Sequence, residues 1–260
     1  MSKHAALDRF GRSGNPLIRS DFFQKVALDN EEVTTLDGAV NKTAILLGLT
    51  ILTASISWNF QGPMMGLISG IGVAAAMISA IATFGLWIFS WIIKPTPHRA
   101  PYTAPIYAAG MGFAIGLISQ QFESLFPGIV IQAVSLTFFV AASLLLLYKT
   151  GVIRPDQNFL LIMACATLGI FFTYIANIFY AMATGSSFSI ITDTGLMGIG
   201  FSLFVVVIAA LNLVLDFDII EQAAETRAPK YMEWFGAMAL VMTLIWLYLE
   251  ILRLLAKLRS

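Results

Sequence analysis

Histidine, cysteine and charge are all scarce in this chain of 260 residues, and each scarcity removes a class of function. Only His4 and His98 occur, one in a polar N-terminal stretch and one in a loop between apolar runs. No apolar run can therefore supply a Ser-His dyad, a histidine-ligated metal or a haem. The single cysteine, Cys165, excludes an internal disulfide and any cysteine-based zinc site, and its place inside an apolar run reads as core filler. Charged residues make up 12%, with 15 basic balanced by 15 acidic, so no basic face exists for nucleic acid. No segment has P-loop spacing, and the glycines of GLISGIG lie within an apolar run rather than after a strand. Neither an enzyme nor a resident cofactor or metal is expected.

What the chain has in abundance is apolar residues, 58% of the total with a mean hydropathy of +0.83, which implies an all-α polytopic membrane protein. A helix needs roughly 20 apolar residues to cross about 30 Å of hydrocarbon. Seven runs meet this, at about 39–59, 66–93, 104–121, 127–148, 158–183, 196–217 and 232–256. Gly62-Pro63, Pro95, Pro97, Pro101, Pro127-Gly128, Pro155, Gly185 and Pro229 punctuate them, and Asp37 is the expected N-cap of the first. Residues 1–35 carry Lys3, Arg9, Arg12, Arg19 and Lys25 without an apolar core, which reads as a soluble arm rather than a cleaved signal peptide. The expected organisation is thus an arm, 1–35, and a seven-helix membrane domain, 36–260.

Basic residues accumulate on the cytoplasmic side of membrane proteins. The arm to Lys42 carries six, and the second, fourth and sixth connections carry Lys94, Arg99, Lys149, Arg154, Arg227 and Lys230, making twelve of fifteen on one side. The N-terminus is expected to be cytoplasmic. Full crossing by the seventh run, favoured by the length of its apolar core, places Arg253, Lys257 and Arg259 outside, against the rule; the alternative is a last helix that returns without emerging. The outer connections hold only Glu123 and Asp193 as charges, so an outer mouth of negative potential is expected. Gly66 with Gly70, and Gly112 with Gly116, have the spacing of close helix contacts, although glycine is also simply frequent in membrane helices.

The stretch LNLVLDFDIIEQAAE, 211–225, runs from an apolar helix into four acids. At 100° per residue Asp216 shares a face with Asn212, whereas Asp218, Glu221 and Glu225 form a second stripe that reads as a helix extension into water. Asp216 lies at the membrane boundary, where acids usually face a bundle interior or a water path. Burial and a helix C-terminus both disfavour the charged form, which makes Asp216 a candidate proton-sensitive switch; the alternative is a boundary aspartate bonded to backbone or to Asn212. Glu250, in IWLYLEILRLLAKLR, is the second buried acid. It either pairs locally with Arg253 at i+3 or lines one path with Asp216 that would suit a hard cation such as Ca²⁺.

AVNKTAILLGL in the first span, LNLVLDFDIIE in the sixth, and APKYMEWFGA followed by WLYLEILRLL in the seventh resemble the Bax inhibitor/YccA family of multi-pass membrane proteins, in a long bacterial branch. The resemblance implies seven helices, six wrapped around a central C-terminal one, in a bacterial inner membrane. It implies a pH-sensitive Ca²⁺ leak in which Asp216 and Glu250 take the places of a proton-shared carboxylate pair. Here the seventh-helix acid is a glutamate, and the second span has no arginine. If the hairpin turns near Pro229, Asp216 and Glu250 lie 13 and 21 residues from the turn, about 12 Å apart in depth. Asn212, 17 residues from it, is closer in level to Glu250 and is an alternative partner.

Two functions remain open. One is the pH-regulated cation leak across the lipid bilayer. The other is a non-conducting interaction protein that modulates a membrane-bound quality-control protease, with 1–35 and the hairpin 218–230 as contact surfaces.

Overall fold

The structure, a computed structural model, describes residues 33–58 and 97–260. The span expected at 66–93, with Gly66, Gly70 and Lys94, and nearly all of the arm lie outside the described residues. Among the described residues the chain is all-helical: α1 (Leu36–Trp58), α2 (Ala100–Leu125, after a 3₁₀ turn at Pro97–Arg99), α3 (Ile129–Lys149), α4 (Gln157–Thr184), the short α5 (Ser189–Thr192), α6 (Leu196–Glu225) and α7 (Tyr231–Arg259). Six of these, all but α5, are long and apolar enough to cross a membrane. They correspond to the six expected spans within the described residues.

The helix ends follow local chemistry. The cap of α1 is Thr35, whose hydroxyl accepts the N–H of Gly38 at 3.0 Å; Asp37, expected in that role, sits one residue inside the first turn. There its charge still complements the positive end of the helix dipole. Asp156 caps α4 by accepting the N–H of Phe159 at 2.7 Å. Gly128 precedes α3 with φ 79, a left-handed conformation that costs glycine nothing. α6 closes in a Schellman arrangement, with Ala228 N–H on the Ala223 carbonyl and Arg227 N–H on that of Ala224. Here the left-handed residue is Arg227, φ 50, rather than glycine.

α1, α3 and α4 bury only narrow stripes. In α4 these are Leu160, Met163, Thr167, Ile170 and Tyr174, a helical three-four spacing. Cys165 falls off that stripe and is exposed, so it is not core filler as its apolar surroundings implied. Large apolar side chains such as Ile51, Phe139, Phe172 and Phe179 are likewise exposed, the surface expected of a lipid-facing bundle. α7 differs: 83% of its most apolar stretch is buried, against 17% for α3 and 22% for α1 and α4.

The chain divides into two compact units, one formed by residues up to Gln121 with Asp216–Met242, the other by Phe122–Leu215 with Thr243–Ser260. In the first, α2 lies against α1 through Gly112 and Gly116. A Cβ on Gly112 would strike the Thr53 hydroxyl and the Thr50 backbone, and one on Gly116 would strike Ser57 and the Ala54 carbonyl. The small-residue spacing here is a helix contact, with Thr50 adding a bond to the Ala108 carbonyl at 3.3 Å.

In the same unit the end of the arm is docked. Val33 and Pro229 form an isolated antiparallel bridge, Thr34 N–H donates to the Ala228 carbonyl at 2.7 Å, and Thr34 Oγ1 donates to that of Pro229 at 2.7 Å.

Candidate functional site

Asp216 and Glu250 are both removed from solvent, at 1% and 2% exposure, in helices otherwise rich in leucine, valine and isoleucine. Asp216 belongs to the first unit and Glu250 to the second. Of the other acids in LNLVLDFDIIEQAAE, Glu225 is exposed, and Glu221 and Asp218 are half-buried, Asp218 accepting a hydrogen bond from Gln222 at 2.5 Å.

Glu250 is enclosed by two partners. Arg253, one turn further along α7, places Nη1 at 2.8 and 2.7 Å from the two carboxylate oxygens. Tyr174 of α4 donates its phenol to the same carboxylate at 3.1 Å, and Arg253 Nη1 reaches the phenol oxygen at 2.5 Å. The guanidinium also lies 5.3 Å from the centre of the Tyr174 ring. The result is a closed triangle of acid, base and phenol joining α4 to α7. Each member satisfies the others, which is what a buried charge requires if it is not to be paid for in full desolvation.

Asn212 is not the partner of Glu250. Its amide has two N–H donors, and these go to Thr167 Oγ1 at 3.1 Å and to the Ile208 carbonyl at 2.8 Å. Similarity of level was a poor guide here, because rotation about the α6 axis turns Asn212 toward α4 instead.

Of the two acids expected at an outer mouth, Glu123 has a structural role. Glu123 is engaged as a helix cap: its two oxygens accept the N–H groups of Gly128 and Val130 at 2.6 and 3.1 Å, at the positive end of α3. α7 then brings three bases to the same end of the second unit. Arg259 donates to the Pro127 carbonyl at 3.0 Å and to Gln132 at 2.7 Å, and Lys257 donates to the Gly198 carbonyl at 2.9 Å. Asp193 lies close enough to act electrostatically on Lys257. Glu250 is thus paired with Arg253, while Lys257 and Arg259 bond to carbonyl and amide oxygens at the same end of the second unit. The loops carry only acids, but the bases are supplied by the helix that ends among them.

The sequence reading missed Glu233, Tyr174 and Lys257. Glu233, in the first turn of α7, is 1% exposed. Its Oε1 accepts both the N–H and the hydroxyl of Thr35, each at 3.0 Å, and its Oε2 lies 3.8 Å from Lys42 Nζ. Gly38 lies so close that a Cβ there would overlap the carboxylate. The available signal was an acid at the third position of a helix, which normally means an N-terminal capping role and no more. Tyr174 looked like one aromatic among many in an apolar span.

Among the described residues no group of three or more histidine, cysteine or acidic side chains could hold a metal ion. Comparison with curated proteins yields no match. The family model described as Bax inhibitor 1 like matches residues 15–260, so the chain belongs to the Bax inhibitor family.

Proposed function

We propose that this protein is a non-enzymatic, pH-sensitive cation leak of the Bax inhibitor type, with Ca²⁺ as the leading ion, in a bacterial inner membrane. Six helices, including the run at 66–93, would surround α7. The observation that carries the reading is the burial of Asp216 and Glu250, at 1% and 2% exposure, inside apolar helices of spanning length. Acids at such positions are expensive and usually mark an ion or proton route. Asp216, 1% exposed within α6, is the proton-responsive group of this reading, and Glu250 is its companion acid, held by Arg253 and Tyr174.

A cytoplasmic N-terminus is supported by the twelve of fifteen basic residues assigned to one side of the seven spans. The three exceptions, Arg253, Lys257 and Arg259, are each bonded to protein at the far end of α7, which offsets the cost of leaving charge there.

The test is Ca²⁺ flux into liposomes holding the purified protein, stepped from about pH 8 to about pH 6, a range spanning raised carboxylate pKa values. Wild type should change its flux across the step, and Asp216→Asn should not. Absence of flux from folded protein at every pH removes the leak.

A specific observation also favours the second reading, a regulator that contacts a membrane-bound protease. Thr34 and Thr35 pin the arm to Ala228, Pro229 and Glu233, giving a fixed platform at one end of the α6–α7 hairpin. On that reading, removing residues 1–32 abolishes partner binding while the carboxylate substitutions leave it intact.

A further inference from the structure

Within the second unit α3 and α6 leave between them a groove of about 370 Å³, lined by Phe139, Val140, Ser143 and Leu144 of α3 and by Val207 and Leu211 of α6. Its floor is closed, with Leu144 and the neighbouring Ala210 each 9% exposed, and its rim is open, with Phe139 69% and Val207 46% exposed. Both helices have the length and apolarity of membrane spans, so the open side faces hydrocarbon. An empty groove there would forfeit the dispersion contacts of every side chain that lines it. Water is a poor filler, because it needs about two to four polar partners and the lining side chains offer one hydroxyl, that of Ser143. An acyl chain is the filler that the surroundings supply.

The place of the groove along α3 sets where the head of such a lipid falls. Lys149, the last residue of α3, lies about 8 Å beyond Leu144 and about 15 Å beyond Phe139, at a rise of about 1.5 Å per residue. Half of a bilayer's hydrocarbon is about 15 Å deep, so a chain in the groove carries its phosphate to the level of Lys149. Just past the helix, Gly151 has φ 72 and prolongs the stripe of Val140, Leu144 and Leu147. The Arg154 guanidinium folds back over it, with Nη2 3.0 Å from the place a Cβ on Gly151 would take. Arg154 and Lys149 are both exposed, and among the described residues neither is ion-paired. The one acid of this connection, Asp156, is engaged as the cap of α4 on the N–H of Phe159. Two bases without a counter-charge therefore stand at the head of an apolar groove.

A guanidinium binds phosphate in a fixed fork, and bases beside a membrane span draw anionic lipid. We propose that the α3–α6 groove is a binding site for an anionic phospholipid, one acyl chain lying along Val140, Ser143 and Val207 and the phosphate held by Arg154. Lys149 stands off the stripe and contributes through its field. A lipid so placed braces α6 at Leu211, beside Asn212, whose amide joins α6 to Thr167 of α4. The inference is independent of conduction, since a lipid can be held whether or not an ion crosses.

Native mass spectrometry of the purified protein, with phosphatidylglycerol or phosphatidylcholine of matched chains, separates the headgroup from the chain. Wild type should hold its tightest lipid about fivefold or more better as phosphatidylglycerol than as phosphatidylcholine, the factor expected of one base at the surface. Arg154→Gln should weaken phosphatidylglycerol about fivefold and leave phosphatidylcholine unchanged, and adding Lys149→Gln should erase the preference. Val207→Trp fills the groove from an exposed position and should weaken both lipids, with Ser143→Trp as a second variant if that one fails to fold, as judged by its Tm. Leu145→Trp, on the opposite face of α3, should bind both as wild type does. Equal affinity of wild type for the two lipids, or a preference that survives loss of both bases, would overturn the headgroup site. Folded Val207→Trp and Ser143→Trp that keep both lipids, or an equal loss in Leu145→Trp, would overturn the groove.

Discussion

Thr35 gives both its backbone N–H and its hydroxyl to a single oxygen of Glu233, each at 3.0 Å, although 198 residues separate them. With Lys42 on the other oxygen, this carboxylate joins the start of α1 to the start of α7. Removing it should strand two donors of Thr35 and unpair Lys42. Glu233→Ala is expected to destabilise the protein by about 3 kcal/mol, and Glu233→Gln, which keeps an acceptor for Thr35, by about 1 kcal/mol. Thermal unfolding in detergent measures both. Hydrogen exchange at Thr35 and Gly38 should quicken in the alanine variant; unchanged protection there would refute the assigned contact.

Gly112 and Gly116 make a sharper pair of tests, because other glycines in the same helices serve as controls. Gly112→Val and Gly116→Val must push α2 off the backbone of Thr50 and Ala54, at an expected cost of about 2 kcal/mol each. Gly48→Ala in α1 and Gly110→Ala in α2 meet nothing within 4 Å and should be neutral or gain up to about 1 kcal/mol from helix propensity. Equal losses at all four positions would mean that the α1–α2 contact does not depend on close approach.

The triangle of Tyr174, Glu250 and Arg253 predicts unequal and coupled losses. Tyr174→Phe leaves the ion pair but removes both hydrogen bonds of the phenol, the one given to Glu250 and the one accepted from Arg253, an expected cost of about 1–3 kcal/mol. Arg253→Ala leaves a buried carboxylate without its counter-charge and should cost about 3–5 kcal/mol. Because the phenol contacts both charged groups, the double variant should lose less than the sum of the two. Strict additivity in the thermal or denaturant midpoint would show that the three do not act as a unit.

Much of this was legible in the sequence. The spans follow from hydropathy, since a lipid-crossing helix must satisfy its own backbone and present apolar side chains, and both demands are written along the chain. The site was less legible, for three physical reasons. Asn212 sits at a suitable level for Glu250, yet helix rotation directs it to Thr167 instead. The charges of the connections are legible in the loops, whereas Lys257 and Arg259 reach the carbonyls of Gly198 and Pro127 on the end of α7, which no loop sequence announces. Glu233 is important through Thr35 and Lys42, partners brought near only by folding, and no local pattern announces them.

The remaining prediction concerns Asp216, and its sign follows without knowing which protonation state conducts. Asparagine is nearly isosteric with the protonated acid and carries no charge at any pH. If protonation of Asp216 sets the leak, Asp216→Asn should be fixed in the state that wild type adopts in acid. Its Ca²⁺ flux at about pH 8 should then equal that of wild type at about pH 6, with no change between the two, a range chosen to span the shifts that burial gives carboxylates. Glu250→Gln, which weakens the hold on Arg253, should alter the size of the flux but preserve its pH response. A mutant that still titrates would place the proton elsewhere, with the leak intact. If Asp216→Asn and Glu250→Gln both leave flux and titration untouched, neither buried acid lines the route, and the platform of Thr34, Thr35 and Glu233 becomes the better guide to function.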